Sequence, residues 1–240
     1  MKTRTLRFTS FLFLFSAMIF ISSCNKDELY LVDFKYEYFP LQVGSWIEYE
    51  VDSITYDNNF DPPAVDTANF ILKELIESAF IDAGGNTAYR IERYRKESDS
   101  ADYVLMNVIY QSVNDKEADR VEGSLRYTKL VFPLLEGTTW NGNAKIDATG
   151  EQAYLAGWEY EVTSIDVPMT FGSQVFDSTV TVLQIEDENL IEKKYSEESY
   201  AKGVGLIFKE TMHLEKQNVL NGWDKPEEGF ILRMTIIAHG

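Results

Sequence analysis

The chain has 240 residues, and its 39 acidic residues outnumber its 22 basic ones, which gives a formal net charge of −17 at neutral pH. A surface of this charge repels phosphate groups, so we expect neither nucleic-acid binding nor electrostatic adhesion to anionic lipid. Hydrophobic residues make up 45% of the chain, which is enough to build a sizeable core. The sequence contains one cysteine, which excludes a disulfide within the chain and a metal site built from several cysteines.

The N-terminus has the pattern of an export signal. Three basic residues, Lys2, Arg4 and Arg7, precede an apolar run of 11 residues over positions 11–21. A helix needs roughly 20 apolar residues to cross a bilayer, so this run is too short for a permanent anchor. We therefore predict that residues 1–23 form a signal peptide and take no part in the fold.

The end of the apolar run contains a short motif, Ile21-Ser22-Ser23-Cys24, that resembles the lipobox of bacterial lipoproteins. The resemblance implies that the signal is cut before Cys24 and that lipid on this cysteine anchors the mature chain to a membrane. The alternative is an ordinary secretory signal with a chance cysteine. Residues 24–37 are then a lipidated tether, because strong folding signals begin only at Tyr38.

A short charged motif follows the cysteine. Lys26, Asp27 and Glu28 resemble the surface-export signal of Bacteroidota lipoproteins. This resemblance implies an outer-membrane location, with the protein anchored by lipid and exposed at the cell surface. The periplasmic face of the outer membrane is the alternative location.

Alternating apolar and polar residues dominate residues 38–240, which we expect to form one antiparallel β domain. A period of two is typical of half-buried strands, and the short turn-rich connections favour antiparallel pairing, since parallel strands need long crossovers. We predict a mainly β fold: a single antiparallel, strongly curved sheet or a partly open β-barrel of about ten strands. The predicted strands are 45–56, 68–80, 87–97, 103–113, 118–131, 157–166, 176–186, 189–199, 204–216 and 230–238.

One predicted strand has an ambiguous pattern. Residues 70–80 also fit an amphipathic helix, with Leu72, Leu75, Ile76 and Ala79 on one face. The Gly84-Gly85 turn connects this segment closely to the next predicted strand, as in a hairpin. We therefore favour a strand.

Two segments of the sequence share a short pattern of residues, which we call the echo. Residues 38–46 (Tyr-Phe-Pro-Leu, then Gly44 and Trp46) are matched by residues 131–140 (Val-Phe-Pro-Leu, then Gly137 and Trp140), and a third Gly-Trp pair opens the strand at 157–166. Proline, glycine and a large ring in this order suit the entry to a strand of a curved sheet. We interpret the echo as marking corresponding edges of one barrel-like sheet; a duplicated domain with a boundary near residue 130 is the weaker alternative.

These two segments, together with the run Tyr200 to Glu210 (Tyr-Ala-Lys-Gly-Val-Gly-Leu-Ile-Phe-Lys-Glu), resemble uncharacterised Bacteroidota outer-membrane lipoproteins. The domain of that family is similar to the half-barrels of lipoprotein carriers, with a strongly curved antiparallel sheet. The resemblance spans most of the mature chain. It implies a fold and a location, and it carries no catalytic residues.

Enzymatic motifs are lacking in the sequence. His213 and His239 are the two histidines and show no metal-ligand spacing, and Ser173 lacks the second glycine of a nucleophile elbow. We therefore predict no catalytic residue, no metal and no cofactor. The chain also contains acidic pairs, such as Asp99 with Asp102 and the run 186–188. Pairs of this kind are expected by chance in a chain with 39 acidic residues. Glycoside hydrolysis would need two carboxylates that face each other across a cleft.

The aromatic residues are the stronger functional signal. Trp46, Trp140, Trp158 and Trp223 each follow a glycine within three positions. They could line a concave face that accepts an apolar or sugar ligand, or simply fill the barrel interior. The leading hypothesis is a non-enzymatic binding or interaction module. The second is a structural subunit that meets an envelope protein partner, and the third is a carboxylate-based glycoside hydrolase.

Overall fold

Residues 32–60, 62–98 and 100–240 are described by the computed structural model. The predicted lipidation residue Cys24, the export residues Lys26, Asp27 and Glu28, and Asp99 of the acidic pair lie outside this part of the chain. The folded body comprises Phe34–Gly240. Within the described ranges, the model has no helix with the length and apolarity needed to cross a membrane.

The body is built almost entirely from strands, as the period-two pattern predicts. Short 3-10 helices occur at Tyr36–Tyr38 and Gly150–Leu155. The strands are β1 (Trp46–Asp57), β2 (Ala64–Ile81), β3 (Thr87–Lys96), β4 (Val104–Val113), β5 (Glu117–Glu122), β6 (Leu125–Val131), β7 (Thr139–Trp140), β8 (Tyr160–Phe171), β9 (Gln174–Glu188), β10 (Glu192–Ala201), β11 (Gly205–Glu215) and β12 (Glu228–His239).

All twelve strands belong to one antiparallel sheet with the order β6-β5-β4-β3-β2-β1-β12-β11-β10-β9-β8-β7. Each half of the chain is a six-stranded meander, and the first strand pairs with the last. The edge strands β6 and β7 approach each other: the Thr128 amide donates to the Gly142 carbonyl at 2.8 Å, and Trp140 Nε1 donates to the Thr128 carbonyl at 2.8 Å. The sheet is therefore nearly closed into a barrel, which confirms the predicted fold class.

Over the described residues the strand count is twelve and not the predicted ten, for two local reasons. The predicted strand 118–131 is the hairpin of β5 and β6, because Gly123 adopts a left-handed conformation (φ 59°) and reverses the chain. Strand β7 has only two residues, too few for a period to show. The contested segment 70–80 lies within β2, so the helical alternative is wrong and the strand prediction is confirmed.

The echoed segments lead into the first strand of each half, β1 and β7. Residues of the second segment also contact residues just before the first: the ring centroids of Phe132 and Tyr36 are 4.7 Å apart, and the Leu134 amide donates to the Phe34 carbonyl. The two halves share one sheet, as the preferred interpretation of the echo expects.

The start of the body is fixed to β8 by polar contacts. Tyr38 is fully buried, and its hydroxyl donates to Asp166 Oδ1 at 2.6 Å. Lys35 Nζ donates to Asp166 Oδ2 at 2.8 Å. Residues 34–37, which the sequence assigned to the tether, thus contact the sheet.

Candidate functional site

The barrel interior contains charged side chains at the middle of several strands. The register places Glu74 of β2 opposite Arg93 of β3, and Glu198 of β10 opposite Lys209 of β11. Opposed residues share a face of the sheet, and Glu74 and Glu198 are buried. These pairs therefore point into the interior, where a charge needs a partner to be tolerated.

Arg120 of β5 is the centre of one group of these interior charges and is 5% exposed. Its guanidinium binds both oxygens of Glu74, with Nη1–Oε2 at 3.0 Å and Nη2–Oε1 at 2.5 Å, and its Nε donates to Glu122 at 2.6 Å. Arg93 Nε lies 3.2 Å from Glu74 Oε1 but has no hydrogen-bond geometry there. Burial alone would raise the pKa of Glu74, but the charge and hydrogen bonds of Arg120 together with the charge of Arg93 outweigh burial and lower this pKa.

Glu198 of β10 is the centre of the other group of interior charges. Its carboxylate accepts from Lys129 Nζ at 2.8 Å and from the Tyr200 hydroxyl at 2.6 Å, and Lys209 Nζ lies at 3.4 Å. Burial would raise the pKa of Glu198, but the charge of Lys129 and then that of Lys209 lower it to about 2. Burial lowers the pKa of Lys129 to about 8, although Glu198 opposes this shift.

We call these seven residues the charged layer: Arg93, Arg120, Lys129, Lys209, Glu74, Glu122 and Glu198. It contains four cations and three carboxylates, so it carries one excess positive charge inside a chain whose formal net charge is −17. This sign is opposite to that of the whole chain.

A cavity of about 370 Å³ lies on one side of the charged layer. Glu74, Arg120 and Glu198 form its polar floor. Apolar side chains from the entry segment and from strands of both halves form most of its walls. They include Phe39, Pro40, Trp46, Ile47, Ile76, Ile91, Val204 and Leu206.

A second, smaller cavity of about 210 Å³ lies on the other side. Strand β11 passes from one cavity to the other. Leu206 lies in the wall of the larger cavity, Lys209 belongs to the charged layer, and Thr211 lies in the wall of the smaller cavity. The layer therefore separates the two cavities. The smaller one is lined by Glu122, Tyr127, Lys129, Tyr154, Leu155, Trp158, Tyr160, Gln184, Ser196, Lys209, Thr211, Phe230 and Leu232.

The four tryptophans are not brought together. Trp46 lines the larger cavity, with Lys73 Nζ 4.1 Å from its ring centroid, and Trp158 lines the smaller one. Trp140 packs against the ring of Tyr160 at 5.6 Å. Trp223 lies in the loop between β11 and β12, where its Nε1 donates to Glu188 at 2.8 Å.

The histidines occupy different places. His239 lies at the end of β12 and lines the larger cavity. His213 Nε2 lies 3.0 Å from Glu192 Oε1 and 3.4 Å from Glu215 Oε1, three groups spaced closely enough to hold a metal ion. However, Lys194 Nζ lies 2.7 Å from the same oxygen of Glu192, and an ammonium ion there competes with any bound cation.

Comparison with known proteins gives distant similarities. No family model and no curated protein matches the chain. A solved structure from Bacteroides fragilis, inferred to be an exported protein with a YmcC-like fold, covers 83% of this chain and 98% of its own, with 11% identity and a TM-score of 0.36. Another from Parabacteroides distasonis, inferred to be a lipoprotein, covers 85% and 98%, with 8% identity and a TM-score of 0.36.

Proposed function

We propose that the protein is a lipid-anchored envelope protein that binds a small, mainly apolar molecule in the larger cavity. The observation that carries this proposal is the cavity itself, whose volume of about 370 Å³ is within the range of ligand pockets. An interior filled by its own side chains would have left no such space. The mixture of apolar walls and a few convergent polar groups is typical of small-molecule sites.

The chemistry of the walls and floor narrows the class of ligand. The walls favour an apolar body because covering them removes apolar surface from water. The floor offers few free hydrogen-bonding groups, since Glu74, Arg120 and Glu198 are already bound to one another or to lysines. A carbohydrate would need many unpaired donors and acceptors, so we favour an apolar molecule with one polar end.

The same contacts argue against a glycoside hydrolase. That reaction needs one carboxyl group with a raised pKa, which donates a proton to the leaving group. Glu74 and Glu198 are the carboxylates of the larger cavity, and both have a lowered pKa because cations outweigh the effect of burial. Neither is suited to act as the general acid.

Binding is tested with phenylnaphthylamine, a neutral dye whose fluorescence rises in apolar surroundings. The purified protein should bind it, and Val204→Trp, which puts a large ring in the cavity wall, should weaken binding about tenfold or more. The control is Leu220→Trp, at a position that is 91% exposed, which should leave binding unchanged. Unaltered binding by a folded Val204→Trp variant would place the dye elsewhere and refute the proposal.

The envelope location rests on the N-terminal motifs. Mass spectrometry of protein purified from its native membrane should show acylated Cys24 as the first residue, whereas intact Met1 or a free thiol would contradict the anchor. Protease added to intact cells should digest the protein if it faces the medium. Replacement of Lys26, Asp27 and Glu28 by alanine should then abolish this digestion while the protein stays in the membrane fraction.

Exposed apolar residues at the start of β4 support the second candidate, a subunit of an envelope assembly. On β4 the exposed fractions are 67% for Val104, 50% for Leu105 and 41% for Met106. Apolar surface of this kind marks protein contacts when it is contiguous. Light scattering of the detergent-solubilised protein should show a defined oligomer that Met106→Lys dissociates; a monomer in both cases would contradict this candidate.

A further inference from the structure

The smaller cavity has the features of a second binding site, with aromatic walls and polar donors. Tyr154 and Leu155 come from the 3-10 helix Gly150–Leu155. Trp158 lies just before β8, and Tyr160 is the first residue of that strand. Its volume of about 210 Å³ is below the usual range for drug-sized ligands, so its occupant must be small. Aromatic side chains favour a flat ring or a short apolar chain.

A buried donor without a partner lines this cavity. Gln184 is 2% exposed; its Oε1 accepts a hydrogen bond from Ser196 Oγ at 2.9 Å. Its Nε2 has no hydrogen-bond partner among the described residues. A buried amide with an unused N–H group is costly, and a ligand oxygen would satisfy it.

The charge of the same walls favours an anion. Lys129 and Lys209 line the cavity together with one carboxylate, Glu122, which is bound to Arg120 at 2.6 Å. Among the described residues, the close ion pairs of both lysines go to the same carboxylate, Glu198, and the layer has four cations for three carboxylates, so one positive charge is in excess. Burial makes an uncompensated charge expensive, and a bound monoanion would neutralise it.

We propose that the smaller cavity binds a small organic carboxylate, with its carboxylate group at Lys129, Lys209 and Gln184 and its apolar part against the aromatic walls. A carboxylate brings one negative charge, which matches the single excess cation, whereas a phosphate dianion would leave an excess of negative charge. This site is independent of the larger cavity, because the two cavities share no lining residue.

Benzoate is the probe, and its uncharged analogue benzamide tests the requirement for charge. Isothermal titration calorimetry of the full-length protein should show one benzoate per chain, with benzamide bound about tenfold more weakly or worse, as expected when a charge-assisted hydrogen bond is lost. Inorganic phosphate should bind more weakly than benzoate. Equal affinity for benzoate and benzamide, or a preference for phosphate, would overturn the proposal.

Two variants locate the probe. Gln184→Leu replaces the side chain that carries the unpartnered Nε2 with an apolar one of similar size, and Lys209→Met removes a partly exposed lysine. Each should weaken benzoate binding about tenfold. The matched control is Lys193→Met, which removes the same charge from a surface pair with Glu188. Its affinity should equal that of the wild type.

The two proposals can fail separately. Val204→Trp fills the larger cavity and should leave benzoate binding unchanged. If Val204→Trp abolishes benzoate binding and a folded Gln184→Leu variant does not, the carboxylate binds in the larger cavity and the inference is wrong. Gln184→Leu removes the unpartnered Nε2 together with the hydrogen bond from Ser196, whose hydroxyl keeps Thr211 Oγ1 at 3.0 Å, so we expect the variant to fold with a melting temperature close to that of the wild type.

Discussion

Neutralising Glu198 should destabilise the protein strongly. The ordinary pKa of its carboxyl group is 4.5, and in the folded protein the charges of Lys129 and Lys209 lower it to about 2 against the effect of burial. One pKa unit corresponds to about 1.4 kcal/mol, so the ionised form is favoured in the folded state by about 3 kcal/mol. Glu198→Gln keeps the shape of the side chain and removes this contribution. The cost of breaking a buried ion pair, about 3–5 kcal/mol, agrees in size.

The sign of the pH dependence follows from the lowered pKa. The contribution of Glu198 is fully present above the unfolded pKa of about 4.5 and is lost as pH falls towards the folded pKa of about 2. The difference between wild type and Glu198→Gln should therefore be largest at neutral pH. It should shrink steadily as the pH is lowered from about 4.5 to about 2.

Urea unfolding followed by tryptophan fluorescence measures this difference. The matched control is Glu197→Gln, the adjacent residue, which is only half buried and whose pKa is raised by burial and by the neighbouring carboxylates Glu210 and Glu186. Neutralising such a group relieves an unfavourable charge, so Glu197→Gln should be neutral or stabilising. A loss below about 1 kcal/mol for Glu198→Gln at neutral pH, or a loss that persists unchanged at pH 2, would refute the reasoning.

Three further predictions concern other parts of the molecule. Gly142→Ala should cost about 1–3 kcal/mol in urea unfolding, because a Cβ atom there would overlap the ring of Tyr160; an unchanged midpoint would contradict this packing. Asp166→Ala should speed tryptic cleavage after Lys35, whose ammonium group it binds at 2.8 Å, and equal rates would show that the contact does not hold the entry segment. Benzoate affinity should fall as pH rises through about 8, where Lys129 loses its proton, and a pH-independent titration would exclude this lysine.

The fold class could be predicted because it depends on the alternation of apolar and polar residues, which is a local property of the sequence. Each strand has one face towards the interior and one towards solvent, so a period of two repeats along the chain. The failures occurred where that signal is weak: Gly123 interrupts a run that otherwise continues from β5 into β6, and β7 is two residues long. Neither feature changes the alternation of apolar and polar residues.

The charged layer could not be predicted for a physical reason. Glu74 shares a strand face with Leu72 and Ile76, but the opposite face also carries apolar residues, Ile71 and Leu75, so the alternation does not show which face is buried; the burial pattern of β2 places Glu74 inward. Its partner Arg120 is 46 residues away, and Lys129 and Glu198 are 69 residues apart. Of the four tryptophans that follow a glycine, Trp46 and Trp158 line separate cavities, and their contact with a ligand stays a prediction.

The charged layer is difficult to explain by stability alone. Replacing a buried ion network with apolar residues of similar volume is often neutral or stabilising, so a barrel selected only for stability would be expected to have an apolar middle. Here Arg120 and Glu198 occupy that middle, each bound to more than one partner, and space remains on both sides of them. Natural proteins give up stability mainly at the residues that serve their function, such as those that bind a ligand. The layer therefore supports an interior that holds ligands over one that serves only as a core.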